Sequence, residues 1–421
     1  MEEMKSNFRK FLLLWSGELI SSVGGGLTSF GLGVYIFNRT GSAAGMAMVT
    51  LFGFLPTFLL GVPAGVLADR YDRRLLMMIG DGFSALGVIY ILICMMRGEA
   101  TLTQICAGVL ISAVFSALLE PSYRATITDL LTEEEYSKAG GLVSLAGSAR
   151  YLLSPLIAGM LLTVSDVRLL LVIDICTFFL TVICVSIVRG SVQAKEAQGS
   201  EPLLKSLADG WRVICGKRGV LILVLVSALI TLFMGMFQIL AEPFILSAYD
   251  AATLGIAETI CACGMLFTAL YLGIWGIKKG FSYILGISLA FAGVFIFFFG
   301  MSQSITAICC FGFLFFAALP VANNCLDYLV RTNISADVQG RVWGLVGFIS
   351  QLGYVAAYAL SGVAADRIGQ MTGTGVGGGS AMVIKSAGVL LVIVSLCMLP
   401  MRSIRALEYE KKYMPEEENI R

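Results

Sequence analysis

The chain has 421 residues, 57% of them hydrophobic and 14% charged, where a soluble protein of this size carries about a quarter charged residues. That balance excludes disordered, nucleic-acid-binding and secreted disulfide-scaffold classes, and 29 basic against 28 acidic residues leave no field to attract a polyanion. Histidine is absent, which removes histidine metal sites, histidine general bases and Ser/His or Cys/His nucleophile pairs together, so no cofactor and no metal is expected.

A hydrocarbon layer about 30 Å thick takes about 20 apolar residues of helix to cross. Runs of that length recur at 11–36, 43–67, 75–96, 102–122, 139–163, 167–188, 219–246, 251–276, 281–301, 304–328, 340–364 and 379–401. The fold class predicted is an all-α membrane protein with twelve transmembrane helices in two pseudo-symmetric six-helix bundles. The first run follows Lys5, Arg9 and Lys10 but is too long for a signal peptide and reads as a retained helix. With the N-terminus inside, the segments facing out keep only Arg39, Arg97, Arg168, Arg367 and Lys385, and Arg150 falls within a span. The positive-inside rule therefore places both termini of a multi-pass plasma-membrane protein in the cytoplasm.

The longest polar stretch divides the chain into an N-terminal bundle at 1–188, a linker at 189–218, a C-terminal bundle at 219–402 and a cytoplasmic tail at 403–421. In the linker Leu203, Leu204, Leu207, Trp211 and Ile214 recur at helical spacing, which predicts an amphipathic helix on the inner membrane surface. The halves echo each other. Arg124-Ala125-Thr126-Ile127-Thr128 leaves the fourth span and Arg331-Thr332-Asn333-Ile334-Ser335 the tenth, and Gly141-Leu142-Val143 and Gly344-Leu345-Val346 enter the next spans. Two joined six-helix halves suggest a carrier with its site at the repeat interface.

Between the second and third spans runs Gly61-Val62-Pro63-Ala64-Gly65-Val66-Leu67-Ala68-Asp69-Arg70-Tyr71-Asp72-Arg73-Arg74. This resembles the cytoplasmic loop signature of the major facilitator superfamily, with Asp72 where the usual pattern has glycine. Trp15-Ser16-Gly17, Thr40-Gly41-Ser42-Ala43, Gly53-Phe54-Leu55-Pro56, Ser154-Pro155 and Gly340-Arg341-Val342 resemble its macrolide-efflux and siderophore-exporter branch, the drug:proton antiporters. The resemblance implies the major facilitator fold and alternating access. It implies a conformational latch of Gly61, Gly65, Asp69, Arg70, Arg73 and Arg74, with the glycines letting a neighbouring helix approach and Asp69 meeting a helix N-terminus. Glu120 is the candidate carboxylate for the loop arginines, and Arg124, one turn away, is its equally simple partner. Positive-inside charges that only set topology are the plain alternative.

Ionisable side chains inside a span are costly unless paired or hydrated. Glu18 and Arg150 enter from the same side and can meet, either as a proton or cationic-substrate site or as a structural ion pair. Glu258 is the leading candidate for proton coupling, since it looks like an acidic residue of the branch, and Asp174 is a further one. Asp81 reads as a partner of the loop arginines, Asp327 with Asn323 and Asn324 as an inter-helix hydrogen-bond cluster, and Glu242-Pro243 as a break in the seventh span. Phe30, Tyr35, Phe233, Phe237 and Gln238 are candidates for lining an apolar cavity suited to a bulky amphipathic compound. Ser154 stands where the antiporter signature has the glycine of its Gly-Pro pair.

The reading is a secondary active transporter and not an enzyme, with a small-molecule substrate, protons as the coupling ion, the lipid bilayer as its surroundings, no nucleic acid and a monomeric state. An importer or a lipid or siderophore transporter of the same fold is the alternative, and a membrane receptor or enzyme the rival from a different class. No Walker-type loop is present; the glycine-rich Thr372–Gly379 stretch lacks the lysine and reads as a connector.

Overall fold

The structure, a computed structural model, describes residues 7–190, 211–212, 214–334 and 339–409. Leu203, Leu204 and Leu207 of the linker therefore lie outside the described residues, whereas Trp211 is exposed and Ile214 buried. Among the described residues the chain is helical throughout, with no strand. In lipid every backbone polar group must be satisfied within its own segment, and a helix does this without a partner.

The helices are α1 (Phe8–Thr40), α2 (Ala43–Arg70), α3 (Arg73–Arg97), α4 (Leu102–Ser116), α5 (Leu119–Leu130), α6 (Tyr136–Val164) and α7 (Val167–Arg189). They continue with α8 (Arg218–Leu246), α9 (Ala251–Trp275), α10 (Phe281–Met301), α11 (Ile305–Thr332), α12 (Gln339–Thr372), α13 (Gly375–Met398) and α14 (Arg402–Tyr409). Among the described residues twelve spans are long and apolar enough to cross a membrane, α4 and α5 together forming the fourth. An even number puts both termini on one side, called here the terminal side.

Several helix ends are written in the sequence. Ser42, Thr101 and Ser304 accept backbone N–H bonds at the starts of α2, α4 and α11, and Gly41 ends α1 with φ 58°, a conformation that glycine adopts without strain. The break between α4 and α5 has a local cause. Pro121 has no N–H for the Ala117 carbonyl four residues back, so the chain turns at Ala117 and Leu118, and proline falls in the first turn of α5, where it is tolerated.

The chain forms two compact units, residues 1–200 with 242–259, and residues 201–241 with 260–421. In this division the end of α8 and the start of α9 belong with the N-terminal helices. Among the described residues unit 1 holds two apolar cores. Leu32, Ile36, Met46, Val88, Ile91 and Met95 fill the half away from the termini, and Phe11, Leu14, Met77, Tyr123, Val185 and Val188 fill the terminal half. Lipid gives no hydrophobic drive between helices, so small residues that let backbones approach decide which helices touch. In unit 1 Gly17, Gly24 and Gly31, seven apart, lay α1 against Cys184, Thr177 and Leu170 of α7. In unit 2 Gly286, Gly293 and Gly300 repeat the device between α10 and Leu399, Gly388 and Ala381 of α13 or its end.

The segment after α13 is an ordered helix rather than a plain tail. Ile404 and Leu407 of α14 are buried, and the Glu408 carboxylate accepts bonds from Gly280 N (2.6 Å), Phe281 N (3.2 Å), Ser282 N (3.3 Å) and Ser282 Oγ (2.8 Å) at the start of α10. Partial burial pushes this carboxyl up, but the bonds from Ser282, Gly280 and Phe281 outweigh it and hold it below the ordinary 4.5. A folded-state value below the unfolded one gives stability that is present near neutral pH and lost as the pH falls through the folded-state value. Glu408→Ala is expected to cost about 1 kcal/mol at neutral pH, as loss of a helix cap does. Thermal unfolding in detergent should show the gap between wild type and variant closing only below pH 4.5.

Candidate functional site

The loop motif is held inside unit 1 by two ion pairs. Asp72 Oδ1 accepts the Arg74 N–H (3.1 Å) and so caps α3, while Asp72 Oδ2 pairs with Arg189 Nε (2.6 Å) at the end of α7. The aspartate in place of the usual glycine thus has its own partner. Arg73 donates to Asp129 Oδ1 (2.7 Å) and to the Ala125 carbonyl (3.0 Å) of α5, and Arg74 is buried. Glu120 is not the carboxylate that the loop arginines take. It pairs with Arg124 Nη2 at 2.9 Å, both side chains exposed, because the i,i+4 partner lies on its own helix face. Asp69 and Arg70 are exposed, and within unit 1 no atom approaches within 4 Å of a side chain built on Gly61 or Gly65. The close approaches in unit 1 lie elsewhere.

Arg73 and Asp129 are three-quarters or more buried, and truncating one partner of such a pair leaves the other charge without compensation. Arg73→Ala is expected to lower stability by about 2–3 kcal/mol. Arg70→Ala and Glu120→Ala, at exposed positions, should change it by no more than about 0.5 kcal/mol. Thermal unfolding of the three variants in one detergent checks the contrast.

Next to α7, α1 also packs on α6, and the two run parallel. Trp15 Nε1 donates to the Leu142 carbonyl (2.6 Å), Ser22 Oγ to that of Ala146 (3.3 Å) and Ser154 Oγ to that of Val23 (3.0 Å). Ser154, in the glycine position of the antiporter-like pair, is therefore a fastener between α6 and α1. Glu18 and Arg150 form no direct ion pair among the described residues. The Arg150 stem lies against Gly26, eight residues beyond Glu18 and so about 12 Å further along α1 at 1.5 Å per residue. Arg150 is exposed, and its charge reaches both Glu18 and Asp174. Asp174 is 1% exposed, with Oδ1 turned to Gly24 of α1 and beside Thr28 and Thr177. Asp81 of α3 is equally buried, and neither of its oxygens has a hydrogen-bond partner among the described residues. No hydrogen bond joins it to a loop arginine among the described residues, and Arg73 is taken by Asp129 and the Ala125 and Ala68 carbonyls.

The second acidic pair sits where α8 ends and α9 begins, in the part of unit 1 that comes from beyond the linker. Glu242 reaches α1: a side chain on Gly33 would lie 2.9 Å from Glu242 Oε2. Glu258, two turns into α9, is the other carboxylate that acts on this site, both are half-buried, and among the described residues no cation acts on either. The turn joining the helices is short, so α8 and α9 bring the two carboxylates together. Next to Glu258, Thr259 Oγ1 donates to the Leu152 carbonyl of α6 (3.0 Å), and Gly255 and Gly159 bring α9 and α6 into backbone contact.

In unit 2 the aromatic candidates are core. Phe233 and Phe237 are each 4% exposed, and Phe237 packs on Phe299 and Phe315 (ring centroids 4.7 Å each) and on Phe316 (5.8 Å). Four residues apart they share one helix face, and that face turns into the unit, not toward a cavity. Gln238 is exposed and accepts the Tyr358 hydroxyl through Oε1 (2.9 Å). In unit 1 Phe30 is buried, and Tyr35 Oη accepts the Ala100 N–H (3.1 Å). Asp327 binds Arg331 with both oxygens at 3.2 Å instead of joining Asn323 and Asn324. This pair stands in the same register as Glu120 and Arg124 in the first half, so the internal echo extends one turn further back than the matched pentapeptides. Unit 2 also repeats the α1–α6 fastening: Ser227 Oγ meets Ser350 Oγ at 2.6 Å, and Thr231 Oγ1 donates to the Ser350 carbonyl.

Among the described residues twelve apolar helices, internally repeated and carrying carboxylates within their spans that have no cation partner, define a multi-pass membrane protein of the kind that transporters form. The chain belongs to the Major Facilitator Superfamily, which it matches over residues 14–358. It is 27% identical over 385 residues to macrolide efflux protein A of Streptococcus pyogenes, covering 88% of this chain and 92% of that one. It is 23% identical over 373 residues to the multidrug efflux pump Tap of Mycolicibacterium fortuitum, covering 85% and 90%. A solved structure of a bacterial homologue of the human lysosomal transporter Spinster superposes with a TM-score of 0.74 at 14% identity, covering 97% and 98%. The family and these relatives are transporters, not enzymes.

Proposed function

We propose that this transporter is a proton-coupled exporter of hydrophobic or amphipathic organic compounds, of the macrolide or multidrug kind, that works by alternating access as a monomer in the plasma membrane. The observation that carries the reading is the similarity, over nearly the whole chain, to relatives named for macrolide and multidrug efflux. Both termini are cytoplasmic in this reading, because the terminal side holds the great majority of the basic residues. The 1–188 and 219–402 halves move against one another, and Gly61, Gly65, Asp69, Arg70, Arg73 and Arg74 bias the equilibrium between the two access states.

Protons are the coupling ion in this reading. Glu258, beside Glu242 with no cation near, can be carried through the cycle only if it gains and loses a proton, and Glu18 and Asp174 are the corresponding groups of the first half. Cells that overproduce the protein are expected to accumulate several-fold less labelled macrolide than cells with the empty vector, and collapsing the proton gradient should remove the difference. Equal accumulation across a panel of hydrophobic drugs would overturn the reading.

A further inference from the structure

Within unit 1 three helices bring ionisable groups to one level of the bundle. Thr181 Oγ1 of α7 donates to the Gly17 carbonyl of α1 (3.2 Å), which sets Glu18 level with Thr181. On the other flank of α7, Ser186 Oγ meets Met78 Sδ of α3 (3.6 Å) and Val182 lies 3.9 Å from a side chain built on Gly82, which sets Asp81 at the same height. From α5, Leu119 Cδ2 lies 2.7 Å from a side chain built on Gly80, so Tyr123, one turn further along this antiparallel helix, stands about one turn below Asp81, and a helical side chain leans back toward the start of its helix, here toward the Asp81 level. Asp81 Oδ1, Asp81 Oδ2 and Tyr123 Oη are all buried with no hydrogen-bond partner among the described residues. The charges that reach Asp81 are the carboxylates Glu18 and Asp174. Of the cations on the neighbouring helices, Arg73 binds Asp129 and Arg189 binds Asp72, Arg150 lies at the level of Gly26 with its charge reaching Glu18 and Asp174, and Arg74 lies two turns below Asp81 at the start of α3. From α4 no acidic or basic side chain faces the site, and α7 adds the Cys184 thiol.

We propose that Asp81, level with Glu18 and one turn above Tyr123 inside unit 1, is a proton-binding site separate from Glu258. An ionised carboxylate buried without a hydrogen bond or a cation costs several kcal/mol, and a second carboxylate at the same level adds repulsion. A bound proton removes both costs, turning Asp81 into a donor toward Glu18 or the Tyr123 oxygen. The proton exchanges through Glu18, which is half-buried where Asp81 is sealed. That the site takes part in transport rests on the antiport reading; that it holds a proton does not.

The test is infrared difference spectroscopy of the full chain in lipid bilayers at neutral pH, in light and heavy water, reading the carbonyl stretch of protonated carboxylic acids. The expected result is a deuterium-sensitive band that Asp81→Asn removes while the melting temperature is kept. Tyr123→Phe leaves Asp81 in place and is expected to shift the same band, which covers the case in which Asp81→Asn fails to fold. A spectrum unchanged in Asp81→Asn, or in Tyr123→Phe if only that variant folds, overturns the proposal. If the band depends on Asp81 but wild-type proteoliposomes move no protons with any drug, the site stands and the antiport reading falls.

Discussion

Gly255→Val is expected to abolish export and to lower the stability of the protein by about 3 kcal/mol, at the upper end of what overpacking costs. A side chain there would overlap the Pro155 carbonyl oxygen and lie 2.9 Å from the carbonyl carbon and 3.4 Å from Gly159 Cα. These are backbone atoms of α6, so nothing can rotate away, and α9 must move off α6. That movement would also break the Thr259 bond to the Leu152 carbonyl and displace Glu258, one turn along the same helix. Gly61→Ala is the matched control. Its added methyl meets nothing within 4 Å, and replacing glycine in a helix interior gains about 0.5–1 kcal/mol. The two variants should therefore shift the melting temperature in opposite directions in one detergent, and a Gly255→Val protein as stable as wild type would refute the crossing.

Glu258→Gln is expected to abolish uphill export, at least about a hundredfold in initial rate, which at 1.4 kcal/mol per factor of ten corresponds to about 3 kcal/mol. Glutamine keeps the size and hydrogen-bonding shape of the side chain but cannot give up a proton. Downhill exchange of labelled drug across the bilayer should survive, because that step needs the carboxyl only in its neutral form. The variant should fold normally, since it removes a charge that has a neighbouring carboxylate and, among the described residues, no cation. Glu242→Gln tests the partner. If Glu242 only tunes Glu258, its loss should move the pH dependence of export and leave the maximal rate within a few-fold of wild type.

The twelve spans were legible because hydropathy over about 20 residues is a property of composition, which needs no knowledge of neighbours. Contacts within one helix were legible too: the Glu120–Arg124 pair follows from spacing alone. Contacts between helices were not. Asp129 is 56 residues from Arg73, and Arg189 is 117 from Asp72, so nothing local distinguishes them from other charged residues near span ends. Phe233 and Phe237 show the same limit: spacing puts them on one face, but only the packing of α8 decides that the face is core. The seven-residue glycine spacings at 17, 24 and 31 and at 286, 293 and 300 were visible signals of close helix contact, and so were Ile404 and Leu407 of the docked α14. What the spacing lacks is the identity of the partner helix.

The most direct test of the account is substrate-evoked proton movement in proteoliposomes, measured for wild type, Glu258→Gln and Glu18→Gln against a panel of macrolides and other hydrophobic drugs. The account predicts that at least one drug evokes proton movement in wild type, that Glu258→Gln abolishes it, and that labelled drug still exchanges in the variant. No proton movement with any drug, while labelled drug equilibrates equally in all three proteins, would contradict it and make the chain a uniporter or flippase.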